Sequence, residues 1–537
     1  MPRNLAAALA GLTLLAAHPA TAQTIERKVK ETRLHRVDRS WLGGSFTCSP
    51  NNRRFAHVVQ KGRVDDQGRP GPAAKQKHKE LFVVLDGRKH PIYADIGPDF
   101  LFSPDSRHFA YIAQKAKNDV FVVLDGVELD PYDDVFRITF GPATPGGRGA
   151  RRMAYFAVKD KQCYCVVHDL PAAPAGGAPA TGPAAGGPAP KVIGPFRNVG
   201  LDTLTFSPDG KHLAFAARDR DDGFVILDGE KQTAYEAVID GTVQFTPDGR
   251  RLAYVAAEDQ KWFVVLRDLA AGKDRELPAF DNVGEVTFSP AGDRLAFVAR
   301  VADKQFVVLG EDRHRPHDGI VPESLAFSPD GKRFGYRVDE TLTRQFMVLD
   351  PPDPSLAAGS AATAPSTRPA DAPPPGRQIG RQYDSVLAGP VFSPDSKKVI
   401  YVALKDRKQF VVVNGVEEER YDGIGGGSFT FSPDGKRLAY AARNGPAWFV
   451  CYDGRVSRAY HGVFGITFTP DSRFVCFAGR KGADEVIVVG RDEGYTFMTI
   501  LSLQRGGRIS FTSPTDFHYL AGIKWNVYLV TEKMTVK

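Results

Sequence analysis

The chain has 537 residues, and one hydrophobic core stops growing well below that length, so several cores or a repeated unit must share it. Hydrophobic residues make up 42%, charged residues 25% and aromatics 10%, which excludes a disordered or fibrous chain. The net charge of +7 is too mild for this size to imply nucleic-acid binding, and 53 glycines with 39 prolines point to many turns and few long helices.

At the N-terminus Arg3 precedes an apolar run from Leu5 to Ala17, and Ala20-Thr21-Ala22 has the small-x-small pattern of a cleavage site before Gln23. Residues 1–22 are therefore expected to be a signal peptide, cleaved near Ala22, with the mature protein periplasmic or secreted. No Cys follows the run to carry a lipid, and no stretch of 18 consecutive apolar residues predicts a transmembrane segment. The five cysteines (Cys48, Cys163, Cys165, Cys451 and Cys476) stand where the repeat described next carries Phe, Val or Ala. They read as buried small hydrophobes, not as disulfides or metal ligands.

Beyond a lone strand from Arg33 to Trp41, the chain repeats itself. Leu204-Thr-Phe-Ser-Pro-Asp-Gly-Lys-His-Leu-Ala-Phe215 and Phe429-Thr-Phe-Ser-Pro-Asp-Gly-Lys-Arg-Leu-Ala-Tyr440 are copies of one unit. Its proline recurs at 50, 104, 142, 208, 247, 290, 329, 394, 433, 470 and 514, which makes eleven copies. Phe stands two residues before the proline in most copies and Tyr or Phe seven after it, as core aromatics. The Ser-Pro-Asp-Gly between them is turn chemistry: Pro presets φ, Asp bonds its own backbone and Gly accepts positive φ.

Each hairpin is followed by an apolar run ending in Asp-Gly or Asn-Gly, as in Phe82 to Gly87, Phe121 to Gly126, Phe224 to Gly229 and Phe410 to Gly415. Such runs predict a third strand buried on both faces and then a tight hairpin. A fourth strand leads into Tyr-acid pairs, whose recurring acids Asp133, Glu236, Asp384 and Asp422 read as structural hydrogen-bond acceptors. The unit is thus a four-stranded antiparallel sheet of about 40 residues with two apolar faces, and such sheets must stack and close into a β-propeller. The fold class is all-β, with about eleven blades. Propellers typically close with about four to eight blades, which favours two rings, with one large ring as the alternative. The strand at Arg33 to Trp41 and the last strand, Asn526 to Glu532, are placed to share the final blade. Two low-complexity stretches, 171–190 and 351–376, read as insertions between third and fourth strands.

At these residues the chain resembles the WD40-like repeat family and, more closely, TolB-type propeller repeats, which carry the same Ser-Pro-Asp-Gly-Lys-x-Leu-Ala-Tyr/Phe signature. The resemblance covers essentially all of residues 23–537 and implies a non-enzymatic scaffold that binds a protein or envelope component, without a cofactor.

The hairpins between second and third strands offer a charged rim for such binding: Lys115, Lys117, Lys159, Lys161, Arg218, Arg220, Lys261, Lys304, Lys405 and Lys408, interspersed with Asp160, Asp219, Asp303 and Asp406. The long loop from Lys61 to Lys79 is the protruding element. Three irregular acids just before inner strands, Asp202, Glu285 and Glu323, are the candidates for a channel site. The alternative they support is a channel-mouth enzyme of glycosidase, lyase or metal-dependent lactonase type. No Gly-x-Ser-x-Gly, His-Glu-x-x-His, phosphate loop or EF-hand loop is found. His314 and His317 fall in a polar turn and read as solvated.

Overall fold

A small set of side-chain bonds makes the repeated turn self-sufficient. Around Pro433 the buried Ser432 hydroxyl donates to Asp434 Oδ1 (2.5 Å) and accepts from the Arg437 amide (2.9 Å), while Asp434 Oδ1 accepts from the Lys436 amide (3.1 Å). The turn amides thus find partners without help from the sheet. The hydroxyl-to-aspartate bond recurs at Ser103, Ser207, Thr246, Ser328, Ser393 and Thr469. Gly435 has φ +74°, and a Cβ there would lie 2.6 Å from Asp395 of the preceding copy, so this glycine serves both the turn and the contact between copies.

The third-to-fourth hairpins are type I′ turns: Asp86-Gly87, Asp125-Gly126, Asp228-Gly229 and Asn414-Gly415 have positive φ at both positions. The first residue of each also holds the start of the second strand. Asp86 Oδ1 accepts from the Phe55 amide (2.9 Å) and Asn414 Oδ1 from the Val399 amide (2.8 Å).

The computed structural model describes residues 25–536 apart from 39, 43, 62–79, 144–150, 171–188, 221, 342–343, 351–376 and 507. Eleven four-stranded antiparallel sheets account for nearly all of it. Blade 1 consists of Thr47–Cys48, Phe55–Gln60, Leu81–Leu85 and Arg88–Tyr93. Blades 2 to 10 follow at 95–128, 134–196, 198–235, 237–276, 282–313, 319–383, 385–417, 423–456 and 462–497. In blades 4, 5, 7 and 9 the inner strand is split into two short pieces. The strands flanking each low-complexity stretch pair with one another, Val166 with Val192 and Val348 with Gln378; the stretches themselves lie outside the described residues, as do residues 1–22 and most of the Lys61 to Lys79 loop. Among the described residues no helix is long and apolar enough to cross a membrane.

The aromatic seven residues after each proline is the centre of packing. Tyr111, Phe215, Tyr254, Tyr336 and Tyr401 are essentially unexposed and sit in clusters that draw on two adjacent blades. The phenylalanine two before the proline is less buried, because it forms the floor for a cation from the preceding blade. Arg54, Arg152, Arg294, Arg333 and Arg437 each lie over the phenylalanine of the next blade. The same guanidinium groups donate to carbonyls of that blade's turn: Arg152 to Gly210 O (2.8 Å), Arg294 to Gly331 O (2.7 Å), Arg333 to Ser396 O (3.0 Å) and Arg437 to Ser472 O (2.7 Å). Lys398 reaches Lys436 O in the same way.

The expectation of two rings is corrected: the eleven blades form one ring. Hydrogen bonds join each blade to the next, with Asp99 accepting from the Ile138 amide between blades 2 and 3, Tyr235 bonding Glu276 between 4 and 5, and Gln244 bonding Val286 O between 5 and 6. No junction is bare enough to be a boundary between two rings. The eleventh blade then meets the first: Asn52 Nδ2 donates to Ser510 Oγ (2.8 Å), the His518 ring nitrogen bonds Asn51 O (2.9 Å), and Phe46 and Phe55 pack on Leu501, Leu520 and Val527.

Blade 11 is built from both chain ends, in the order Ser510–Phe511, Asp516–Ile523, Asn526–Val536 and, outermost, the N-terminal strand Ile25–Arg36. The shared final blade expected from the sequence is present, with its outer strand eight residues further upstream. Inward-facing Arg27 explains the shift. Its Nε donates to Glu532 Oε2 (2.7 Å), and Glu532, wholly buried, also accepts from the Tyr519 hydroxyl (2.6 Å). Arg27 further donates to Ile487 O (3.0 Å) of blade 10, so one strand completes blade 11 and grips its neighbour. Arg27→Ala leaves a buried carboxylate unpaired and is expected to cost about 3–5 kcal/mol of stability in chemical denaturation. A loss below about 1 kcal/mol would mean that this pair does not hold the strand.

Candidate functional site

Successive turns of an antiparallel blade alternate between two faces. The second-to-third hairpins therefore share one face of the ring with the crossings from each outer strand to the next inner strand. On that face lie Lys115 and Lys117 of blade 2, Lys159 and Lys161 of blade 3, Arg218 and Arg220 of blade 4, Lys261 of blade 5, Lys304 of blade 6, and Lys405 and Lys408 of blade 8.

Four of the ten are neutralised within the ring. Lys115 pairs with Glu128 (2.5 Å), Lys261 with Asp281 (2.6 Å), Lys408 with Asp422 (2.6 Å) and Lys304 with Asp318. The acids beside the junction aromatics, Tyr132, Phe280, Tyr383 and Tyr421, bridge blades. Asp422 Oδ2 accepts from the Gly445 amide of the next hairpin (2.7 Å), Asp281 from Ala302 (2.7 Å), Asp133 from Asp160 (2.8 Å) and Asp384 from Asp406 (3.0 Å). The structural-acceptor reading thus describes Asp133, Asp384 and Asp422. At Glu236 the roles are exchanged: its amide donates to the Glu258 carboxylate (3.0 Å). The other six cations, Lys117, Lys159, Lys161, Arg218, Arg220 and Lys405, have no carboxylate partner among the described residues. Five of them are exposed on consecutive blades 2, 3 and 4. Between blades 2 and 3 the same face opens into a crevice of about 380 Å³ lined by Asp95, Gln114, Lys117, Asn118, Asp133 and Asp134.

The three channel acids separate into two places. Asp202 pairs with Arg137 of blade 3 (3.3 Å) and is largely exposed. It lies on a short loop whose Thr203 hydroxyl donates to Gly200 O (2.7 Å) and accepts from the Ala216 amide (3.0 Å), the device that splits the inner strand there. Glu285 of blade 6 accepts from the Ser324 and Leu325 amides of blade 7, both at 3.0 Å, so its oxygens already cap an inner loop. Burial nevertheless pushes its carboxyl above the ordinary range, against the pull of those amides and Arg337. Glu323 sits on that loop with φ +53°, and its charge, like that of Glu285, acts on Arg337, which donates to Val386 O of blade 8 (2.9 Å). Glu285 and Glu323 are thus brought together and Asp202 is not. No group of three His, Cys, Asp or Glu placed to hold a metal ion occurs among the described residues.

The solvated reading of His314 and His317 is corrected. Both are buried, because the outer edge of blade 6 packs on blade 7: the His314 ring nitrogen meets the Tyr336 hydroxyl (3.2 Å), and His317 packs on Phe346. His90 of blade 1 makes the same contact with Tyr111 of blade 2 (2.9 Å). The five cysteines are free, and burial raises the Cys48 and Cys476 thiols to about 12, so neither is a ready nucleophile. A second crevice, about 470 Å³ between blades 8 and 9, has its buried groups engaged: Tyr440 bonds Glu418 (3.1 Å), and Arg437 is held by Asp453 and by carbonyls of blade 10.

No family model and no curated protein matches this chain. Among solved structures it is similar to TolB from Acinetobacter baumannii, at 15% identity and TM-score 0.25 over 73% of this chain and 81% of that one. It is similar to an oligogalacturonate lyase in complex with manganese at 13% identity and TM-score 0.28, over 59% and 93%. The β-propeller domain of the Trilobed protease from Pyrococcus furiosus is similar at 10% identity and TM-score 0.27, over 54% and 96%. The likeness is one of fold.

The cation that sequence reasoning passed over is the arginine of Gly-Lys-x-Leu, which varies between Arg and His in the two copies compared and gives no sign of its partner. Arg437→Ala is expected to lower stability by about 1.5–3 kcal/mol, the worth of a charged hydrogen bond, with Arg437→Lys losing less because Lys398 plays this role between blades 8 and 9. Equal losses in the two variants, measured by urea denaturation, would contradict the assignment.

Proposed function

We propose that the protein is an exported, non-enzymatic scaffold that binds a protein or cell-envelope component carrying acidic groups through the hairpin face of blades 2 to 4. The observation that supports this reading most is the set of five exposed cations without a carboxylate partner among the described residues, Lys117, Lys159, Lys161, Arg218 and Arg220, on three adjacent blades beside the crevice at Lys117. The lysines of blades 5, 6 and 8 that have carboxylate partners serve the ring instead. A rigid array of this kind favours fast encounter and selectivity over raw affinity, because rim charges act mainly on the association rate. Export follows from Arg3, the Leu5 to Ala17 run and the Ala20-Thr21-Ala22 site, and puts the array in the periplasm or outside the cell.

A second reading, a channel-mouth enzyme, is favoured by the raised carboxyl of Glu285 beside Glu323. A raised carboxyl is what a general acid needs.

The two readings separate in one experiment. The mature chain is used to capture partners from a Gram-negative envelope fraction, in parallel with a variant in which the five cations are changed to Gln and with Glu285→Gln. Capture is expected to fall about tenfold or more in the five-cation variant, more steeply as salt rises, and to survive Glu285→Gln. Equal capture by the wild type and the five-cation variant would remove the docking assignment. Cell fractionation of the full chain is expected to recover it outside the cytoplasm, shortened by about 22 residues. Recovery of an uncleaved cytoplasmic protein would overturn the export reading.

A further inference from the structure

At the seam between blades 11 and 1 lies a buried histidine whose ring nitrogens are unbonded among the described residues. His57, on the second strand of blade 1, has no exposed surface, and neither of its ring nitrogens has a hydrogen-bond partner among the described residues. An unpartnered polar side chain in such a place is costly and asks for an explanation. Its ring stacks on Phe55 and Phe46, with interplanar angles of 8° and 13°, and meets the edge of Trp41. The fourth ring against it is His35, at 6.1 Å between centroids, which also contacts Phe55.

His35 belongs to Ile25–Arg36, the strand that completes blade 11, so this contact spans the point at which the ring closes. The charged groups that bear on the pair are few. Asp38, just beyond the strand, acts on His57; Arg33 of the same strand and Lys89 of blade 1 act on His35. Apolar neighbours surround this contact: Val84 lies opposite His57 on the third strand of blade 1, and Leu501, Leu520 and Val527 of blade 11 pack on Phe46 and Phe55.

We propose that the His35–His57 contact is an acid-sensitive latch: protonation puts positive charge into a largely apolar seam where the His57 ring has no hydrogen-bond partner among the described residues, loosens the N-terminal strand and opens the ring between blades 11 and 1. Histidines also stand at other contacts between blades, but each has a partner there: His90 meets the Tyr111 hydroxyl, His314 the Tyr336 hydroxyl and, at this same seam, His518 meets Asn51 O, with burial lowering His518 as well. Burial first, and then the neighbouring His35, lowers His57 from 6.5 to about 4; burial, Lys89 and Arg33 lower His35 as well. Once the strand is released the ring is solvated and returns to its ordinary value. The closed form therefore binds fewer protons than the open one, and its stability, complete above about pH 6.5, falls as the pH drops towards about 4. From about pH 7 to about pH 5, His57 alone raises the opening equilibrium about 20-fold. The turn aspartates, such as Asp395 and Asp434, are held below the ordinary carboxylate range by their serine bonds and titrate at lower pH.

Hydrogen exchange of the full mature chain at about pH 7 and about pH 5, corrected for intrinsic rates, tests this. Residues 25–36 are expected to lose about 20-fold in protection between the two, while the second strand of blade 5, Arg251–Glu258, keeps its own. His57→Phe, which suits the slot between Phe46 and Phe55, is expected to remove most of the difference, and His35→Gln to reduce it. No differential loss in the wild type, or the same loss in His57→Phe, would overturn the latch. Should His57→Phe not fold, an undiminished response in His35→Gln would overturn it equally.

Discussion

Each sheet of this protein is apolar on both sides, and neither side is hidden until another sheet lies against it. Tyr254, for example, is buried by residues of blade 4 as well as its own blade. From this constraint the rest follows. The blades stack in sequence order because each copy's Arg and turn Gly are matched to the copy beside it. The row must end by meeting itself, since an open end would expose one full apolar face. Closure falls to two chain ends that share one blade, and the demand for a firm joint there accounts for the buried Arg27–Glu532–Tyr519 network.

The repeat made most of this architecture legible. Turn residues, buried tyrosines and Asp-Gly hairpins are local chemistry, so eleven blades could be counted from prolines alone. The number of rings could not. It depends on the angle between neighbouring blades, which is fixed by contacts such as Arg333 to Ser396 O between residues 63 apart in sequence, and a repeat period carries no record of that angle. His314 and His317 were misplaced for a related reason: the turn around them is polar, but the tyrosine that buries His314 belongs to the next copy.

The charged rim shows the same division. Which hairpins carry lysine is plain from the sequence, whereas which lysines are spent on neighbouring blades is a property of the ring. Lys261 and Lys117 occupy similar hairpins, yet one is held by Asp281 and the other faces solvent. The channel acids behave likewise. Glu285 and Glu323 meet across blades 6 and 7 while Asp202 stands with Arg137, and spacing along the chain distinguishes neither outcome. What the ring displays is therefore best sought where its own bonding leaves groups unspent: on the hairpin face of blades 2 to 4, and at the closing seam.

Everything above rests on one closed circle of eleven blades. Electron-microscope class averages of the purified mature protein, viewed along the axis, measure this directly. The account predicts one unbroken ring with eleven lobes about a central opening. Two smaller rings side by side, or an arc with a gap, would contradict it.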